Sequence, residues 1–289
     1  MVTFVQIHAV PQWQGALTER ASLLPASCCA LAELAADVLG APVREIEVAT
    51  GGGDCGNGIA NRDVLIHNLN AQRQALAETH EPVLTIGGDC GVELAPLETA
   101  RQRYGDGLTA LWFDAHVDLN TPRTSPSGAF HGMVLRAALG DGDDVLVADP
   151  ALSKWRVLLA GARTLDAAEQ ELIPHIQPDP TLRLRNVDLC APENVGYALE
   201  MLQAHEVYLH IDLDVLDPTE FDGLNCPEPG GITVGELADS IRALADGDPT
   251  FKGRPWPVVA VGVTECTTTD PVELRTLVPI LEAIGAALA

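Results

Sequence analysis

The sequence predicts an α/β fold built on a parallel sheet, on three observations. Apolar, β-branched runs recur along the chain, segments with helical spacing separate them, and no linker, internal repeat or low-complexity tract interrupts the alternation. The runs are residues 3–10, 45–49, 82–87, 109–114, 156–161, 182–187, 206–212 and 257–264. Their near-continuous apolarity is that of strands covered on both faces. Between the first two, residues 27–39 carry one apolar stripe of Leu31, Leu34, Ala35, Val38 and Leu39. Before the last, residues 233–245 read as a helix that Thr233 and Glu236 open as a capping box. The unbroken alternation reads as a single domain over residues 1–289. Eight such units either close into a barrel or lie open as a doubly wound sheet. Both place chemistry at the carboxyl ends of the strands.

Composition narrows the partners. The chain has 289 residues, with 17 Lys and Arg against 41 Asp and Glu, a formal charge of −24. Nucleic acid and anionic membranes need a basic face, so neither is expected. Hydrophobic residues at 47% against 20% charged describe a chain able to bury a large core. The cysteines, at 28, 29, 55, 90, 190, 226 and 266, form no CxxC pair, and their odd number suggests reduced thiols in a cytoplasmic protein. The first ten residues lack a basic region followed by an apolar run, and no 18-residue apolar stretch occurs.

A glycine-rich segment, Gly51-Gly52-Gly53-Asp54-Cys55-Gly56-Asn57-Gly58, formally contains G-x-G-x-x-G. A pyrophosphate cradle needs backbone N–H groups free of nearby negative charge, yet Asp54 lies inside the loop and no Lys-Ser/Thr follows. It reads instead as a flexible loop near the mouth of a site.

The fourth run ends in Asp114-Ala115-His116-Val117-Asp118, and the seventh in His210-Ile211-Asp212-Leu213-Asp214. Alternation along a strand puts Asp114, His116 and Asp118 on one face if the extended geometry persists, and pairs Asp212 with Asp214 in the same way. Two acidic clusters in one interior repel by several kcal/mol unless cations neutralise them. Four aspartates exceed what one tetrahedral centre uses, so two divalent ions about 3.5–4 Å apart fit best.

At these residues a resemblance becomes specific. Gly87-Gly88-Asp89, the Asp114–Asp118 run and Asp212-x-Asp214-x-x-Asp217-Pro218 resemble, in order and spacing, the signature segments of the ureohydrolases, the arginases and agmatinases. The resemblance covers the third run to the eighth. It implies the three-layer α/β/α arginase-like fold with an eight-stranded parallel sheet, two Mn2+ ions per chain, and a trimer or hexamer. It also implies that Asp114 and Asp212 bridge the ions, that Asp118 completes one, and that His116 with Asp214 completes the other. Relatives place a histidine ligand directly after Gly-Gly-Asp, where this chain has Cys90. A thiolate ligand there favours Zn2+ over Mn2+ at that position and lowers the ion's Lewis acidity. His210 stands where the family usually has serine.

The segment from Asn120 to His131 resembles the arginase loop that holds an α-carboxylate, which assigns Asn120, Ser125 and Ser127 to that group. Ala129 departs from the asparagine usual there. The segment from Gly161 to Glu169 resembles the one whose acids face the α-ammonium, which assigns Asp166, with Glu169 nearby. His131 matches the proton-shuttling histidine and Glu265 the carboxylate that orients the guanidinium, and Asp118 helps orient the attacking water.

The expected activity is metal-assisted hydrolysis of a small guanidino amino acid, L-arginine to L-ornithine and urea. Cys90 keeps Nω-hydroxy-L-arginine open as substrate, and agmatinase or formimidoylglutamase activity is a further alternative. A catalytically silent amino-acid sensor is the reading from another class, and a single-zinc deacetylase ranks below it because it needs no serine loop.

Overall fold

Residues 5–176, 183–247 and 255–288 are described in this computed structural model. Seven strands pair in parallel: β1 (Gln6–Val10), β2 (Val43–Glu45), β3 (Val83–Gly87), β4 (Leu108–Phe113), β5 (Val157–Ala160), β6 (Glu206–Asp212) and β7 (Val258–Thr264). Their spatial order is β2-β1-β3-β7-β6-β4-β5, so the sheet is open and doubly wound. The expected run at 182–187 is not an eighth strand among the described residues. Leu184 makes one isolated parallel bridge to Ala160, and a helix begins at Asn186. Thr181 and Leu182 lie outside the described residues, as do the first two of the run at 3–10. The second strand also ends early, at Glu45 rather than residue 49. The Ala49 N–H bonds the Asn68 side chain, and Ala49 O accepts from Gln14 Nε2, which draws the chain off the sheet.

The helices are α1 (Leu24–Leu39), α2 (Arg62–Ala77), α3 (Leu94–Tyr104), α4 (Val134–Ala138), α5 (Ala167–Ile176), α6 (Asn186–Leu189), α7 (Glu193–Met201), α8 (Val234–Asp246), α9 (Pro271–Leu274) and α10 (Val278–Ala287). Period-2 alternation in β4 divides them into two layers. Leu111 and Phe113 pack into a core with Leu31 of α1, Leu237 of α8 and Ile284 of α10. Leu108, Ala110 and Trp112 point the other way, towards Leu69 of α2, Leu97 of α3 and Leu135 of α4. The result is a sheet between two helical layers.

Local signals explain the helix ends. Pro25 starts α1 and Gly40, left-handed at φ 62°, stops it. At α8 the capping box forms as expected: the Glu236 N–H donates to Thr233 Oγ1 at 3.1 Å, and the Thr233 N–H to Glu236 Oε2 at 2.8 Å. Ala21–Leu39 is apolar and long enough to cross a membrane by composition. Cys28, Leu31, Ala32 and Ala35 are nevertheless buried in a core shared with β1 and β3, as in the core helix of a globular protein.

Strand order sets β3, β7, β6 and β4 side by side at the centre of the sheet. Their carboxyl ends deliver Cys90, Glu265, Asp212 and Asp114 to one edge.

Candidate metal centre and adjoining pocket

Asp114 leaves β4 immediately after Phe113, and there the extended geometry stops. The same-face arrangement expected for Asp114, His116 and Asp118 is therefore made by a turn, in which the His116 N–H donates to Asp114 Oδ1 at 2.6 Å and Asp118 takes a left-handed φ of 52°. A non-glycine residue there costs free energy that the surrounding contacts must offset. On β6 the strand likewise ends at Asp212, and the 3-10 turn Leu213–Val215 brings Asp214 beside it, the Asp214 N–H donating to Asp212 Oδ1 at 2.8 Å.

The turns assemble three overlapping groups of ligand atoms, each with all members within 4.8 Å of one another: Asp114, His116 and Asp214; Cys90, Asp114, Asp118 and His210; and Cys90, Asp212 and Glu265. All the metal ligands named from the sequence thus meet, with Asp114 common to two groups and Cys90 to two. His116 Nδ1 lies 2.9 Å from Asp214 Oδ2, and Cys90 Sγ donates to Asp212 Oδ2 at 3.2 Å. Asp114, Asp118, Asp212 and Asp214 are all buried.

Burial pushes the carboxyls of Asp118 and Asp212 well above the ordinary range, and neighbouring acids push further. Asp214 is raised for the same reasons. Asp114 goes the other way: burial raises it, but His116 and His210 outweigh that and hold it ionised. Asp118 Oδ2 is buried without a hydrogen-bond partner. Facing carboxylates, imidazoles and an orphaned oxygen are the donor set a pair of divalent cations satisfies, so the residues fit such a centre.

A cavity of about 160 Å³ opens above the acids. Asn120, Ser125, Ser127, Asp166 and Glu169 line it together with His131 and Asp118. Asn120 Nδ2 donates to Asp166 Oδ2 at 2.8 Å. Ser125 and Ser127 accept from the N–H groups of Gly128 and Ala129 at 3.0 and 3.1 Å, and their hydroxyls lie 3.4 Å apart, so one donates to the other and the second keeps its proton for a ligand. Both Glu169 oxygens are taken by backbone, the N–H groups of Leu119 and Asp166 at 3.0 and 2.9 Å. Just past the glycine-rich segment, the Ala60 N–H donates to Gly128 O at 3.0 Å.

Glu265, left-handed at φ 68°, accepts from the Cys90 N–H at 2.8 Å and from Asn225 Nδ2 at 2.6 Å, and sits 3.1 Å from His131 Nδ1. Burial pulls the His131 imidazole down, but Glu265 outweighs it and raises it above its usual value. Gly88 is required beneath this group, since a Cβ there would fall 1.8 Å from Gln12 O.

Sequence reasoning assigned no part to Glu93, His210 or Asn225. Asn225 had no periodic signal. His210 had one: it lies two residues before Asp212 on β6, and so on the same face.

An open parallel sheet with a buried cage of acids and imidazoles at its carboxyl edge defines the class, an α/β protein whose clustered side chains could hold metal ions. A model of the arginase family matches residues 23–252. The chain belongs to the arginase family. The arginase of Staphylococcus aureus (strain MRSA252) is 32% identical over 197 residues, 65% of this chain and 65% of that protein. The arginase of Bacillus subtilis (strain 168) is 36% identical over 169 residues, 56% of each. The chain thus spans 56 to 65% of the length of these curated relatives. Among solved structures, the Bacillus caldovelox arginase has the same fold at a TM-score of 0.81 and 21% identity, covering 99% of this chain and 98% of that one. The Entamoeba histolytica arginase, solved with L-ornithine, matches at 0.80 and 22%, covering 99% of both.

Proposed function

We propose that this chain is a metal-dependent amidinohydrolase that cleaves the guanidinium C–N bond of a guanidino amino acid, with L-arginine giving L-ornithine and urea. One juxtaposition carries the reading: buried carboxylates face a cavity whose lining also offers an amide, two hydroxyls and a further carboxylate. Asp114, His116, Asp118, Asp212 and Asp214, with Cys90, are the residues that would hold two ions. Oxygen-rich donors support Mn2+, and the Cys90 sulfur admits Zn2+ on its side. When bound, the ions supply positive charge for the carboxylates and a water acidic enough to lose a proton near neutrality.

The chain's own groups do the rest. Asn120 and the hydroxyls of Ser125 and Ser127 bind the α-carboxylate. Asp166 faces the α-ammonium. Glu169, committed to two backbone N–H groups, positions both neighbouring segments rather than touching substrate. Asp118 orients the attacking water, and Glu265 fixes the His131 ring. As water adds and the C–N bond breaks, the departing amine takes a proton that His131 relays from solvent. The raised imidazole suits that role, because Glu265 beside it favours the protonated form that donates.

A second reading, hydrolysis of Nω-hydroxy-L-arginine to hydroxyurea and L-ornithine, is favoured by Cys90 in the cage and by the apolar Ala129 in the carboxylate loop. The seven free cysteines support a reducing, cytoplasmic setting. The test is an activity panel on guanidino compounds after reconstitution with Mn2+, scoring urea against hydroxyurea. Preference for agmatine or formimidoylglutamate would overturn both readings. No turnover, with fewer than two ions bound per chain, would support a silent sensor.

A further inference from the structure

We infer that His210, a residue of the sheet itself, is a metal ligand on the Cys90 side of the cage and supplies there the nitrogen donor that Cys90 cannot. This rests on the two-ion reading above and assigns it a further residue. Tyr208, His210 and Asp212 alternate along β6, so all three point towards the same helical layer, with Asp212 at the rim and His210 beneath it. His210 Nε2 lies 3.8 Å from Asp114 Oδ2 and 3.9 Å from Cys90 Sγ. Those are the separations of atoms that share one ion at bond lengths of about 2.0–2.3 Å. Asp118, whose Oδ2 is buried and unpartnered, completes the same group.

The rest of the ring is held as a metal-bound imidazole is held. His210 Nδ1 is 3.1 Å from Glu93 Oε2, and Tyr208 donates its hydroxyl to the same oxygen at 2.8 Å. A carboxylate on one ring nitrogen fixes the tautomer that presents the other nitrogen's lone pair to a cation. Trp112 stacks on the ring with centroids 3.6 Å apart. Room for Glu93 comes from Gly262 on β7, the strand neighbour of His210, where a Cβ would fall 1.9 Å from Glu93 Oε1. All four side chains are buried. Charge favours the same assignment: a neutral imidazole adds none to a cage of four aspartates, whereas a thiolate adds another negative charge.

The test is Mn2+ titration by calorimetry, together with pulsed electron paramagnetic resonance of protein labelled with 15N-histidine. Wild type is expected to bind two ions and show two coordinating imidazoles, His116 and His210. His210→Ser is expected to lose about 100-fold or more in affinity for one ion and to show one imidazole, while the double variant Cys90→His/His210→Ser regains the second ion. Glu93→Gln is expected to weaken one ion by about 10- to 100-fold. Circular dichroism in chelator checks each fold; if His210→Ser does not fold, Glu93→Gln decides alone, and unchanged affinity there overturns the inference. Unchanged binding in a folded His210→Ser also overturns it, as does loss without recovery in the double variant. A wild-type chain that binds no Mn2+ would instead refute the two-ion reading itself.

Discussion

Stripping divalent cations from this protein is expected to destabilise it, and by more as the pH rises. Asp114, Asp118, Asp212 and Asp214 are all buried around the same few ångströms. Two carboxylates about 4 Å apart repel by roughly 4 kcal/mol at an effective dielectric constant of about 20, so burial and repulsion in the ion-free cage favour the protonated form of its raised members, Asp118 and Asp212. A carboxyl raised in the folded state contributes stability that is complete below its unfolded value, near pH 4, and is lost as the pH climbs through the folded value. Cations reverse the trend, because they bind the deprotonated groups. At a free Mn2+ concentration 100 times Kd each ion adds about 2.7 kcal/mol, about 5 kcal/mol for two, or roughly 9 °C in Tm for a chain of this size. Thermal unfolding followed at pH 6, 7 and 8, with chelator or with Mn2+, checks this. The ion-free Tm should fall across the series while the gap to the loaded protein widens. A gap that is absent, or that narrows with rising pH, refutes the reasoning.

Replacing Ser125 or Ser127 by alanine should raise KM for an amino-acid substrate about tenfold with little change in kcat, since a hydrogen bond to a charged group contributes about 1.5–3 kcal/mol; steady-state kinetics with arginine and agmatine should show the loss only for the former. His131→Asn should lower kcat by about 10²- to 10⁴-fold with metal content unchanged, measured by turnover beside elemental analysis. Asp143→Asn should destabilise the fold by about 3 kcal/mol in denaturant titration, because Arg62 grips both its oxygens at 2.8 Å and it is buried. That carboxyl is held well below its usual range, chiefly by Arg62 against the pull of burial, so the wild-type advantage should be full above about pH 4 and fade as the pH drops through the folded value.

Strong periodicity was legible in the sequence, and local competition was not. Six of the strands formed at or near their apolar runs because both faces are covered, which leaves little choice of register. At Leu184 the residues compete with the strand: Arg185 and Asp188 form a cap that starts α6, and the backbone is taken into a helix after one bridge. The side chains at 114–118 come together by a route other than strand alternation, a turn with Asp118 left-handed, which no alternation pattern encodes. His210 departs from the serine of the relatives, and only its spacing from Asp212 signals that it shares that residue's face of β6. Glu93 left no trace at sequence level, since its place depends on Gly262 across two strands.

Crystals soaked in Mn2+ and measured at the manganese absorption edge probe the centre itself. Two anomalous peaks about 3.5–4 Å apart, inside the ring of Asp114, Asp118, Asp212 and Asp214, are the expected result. A featureless map at that position, or peaks confined to the protein surface, would contradict the account.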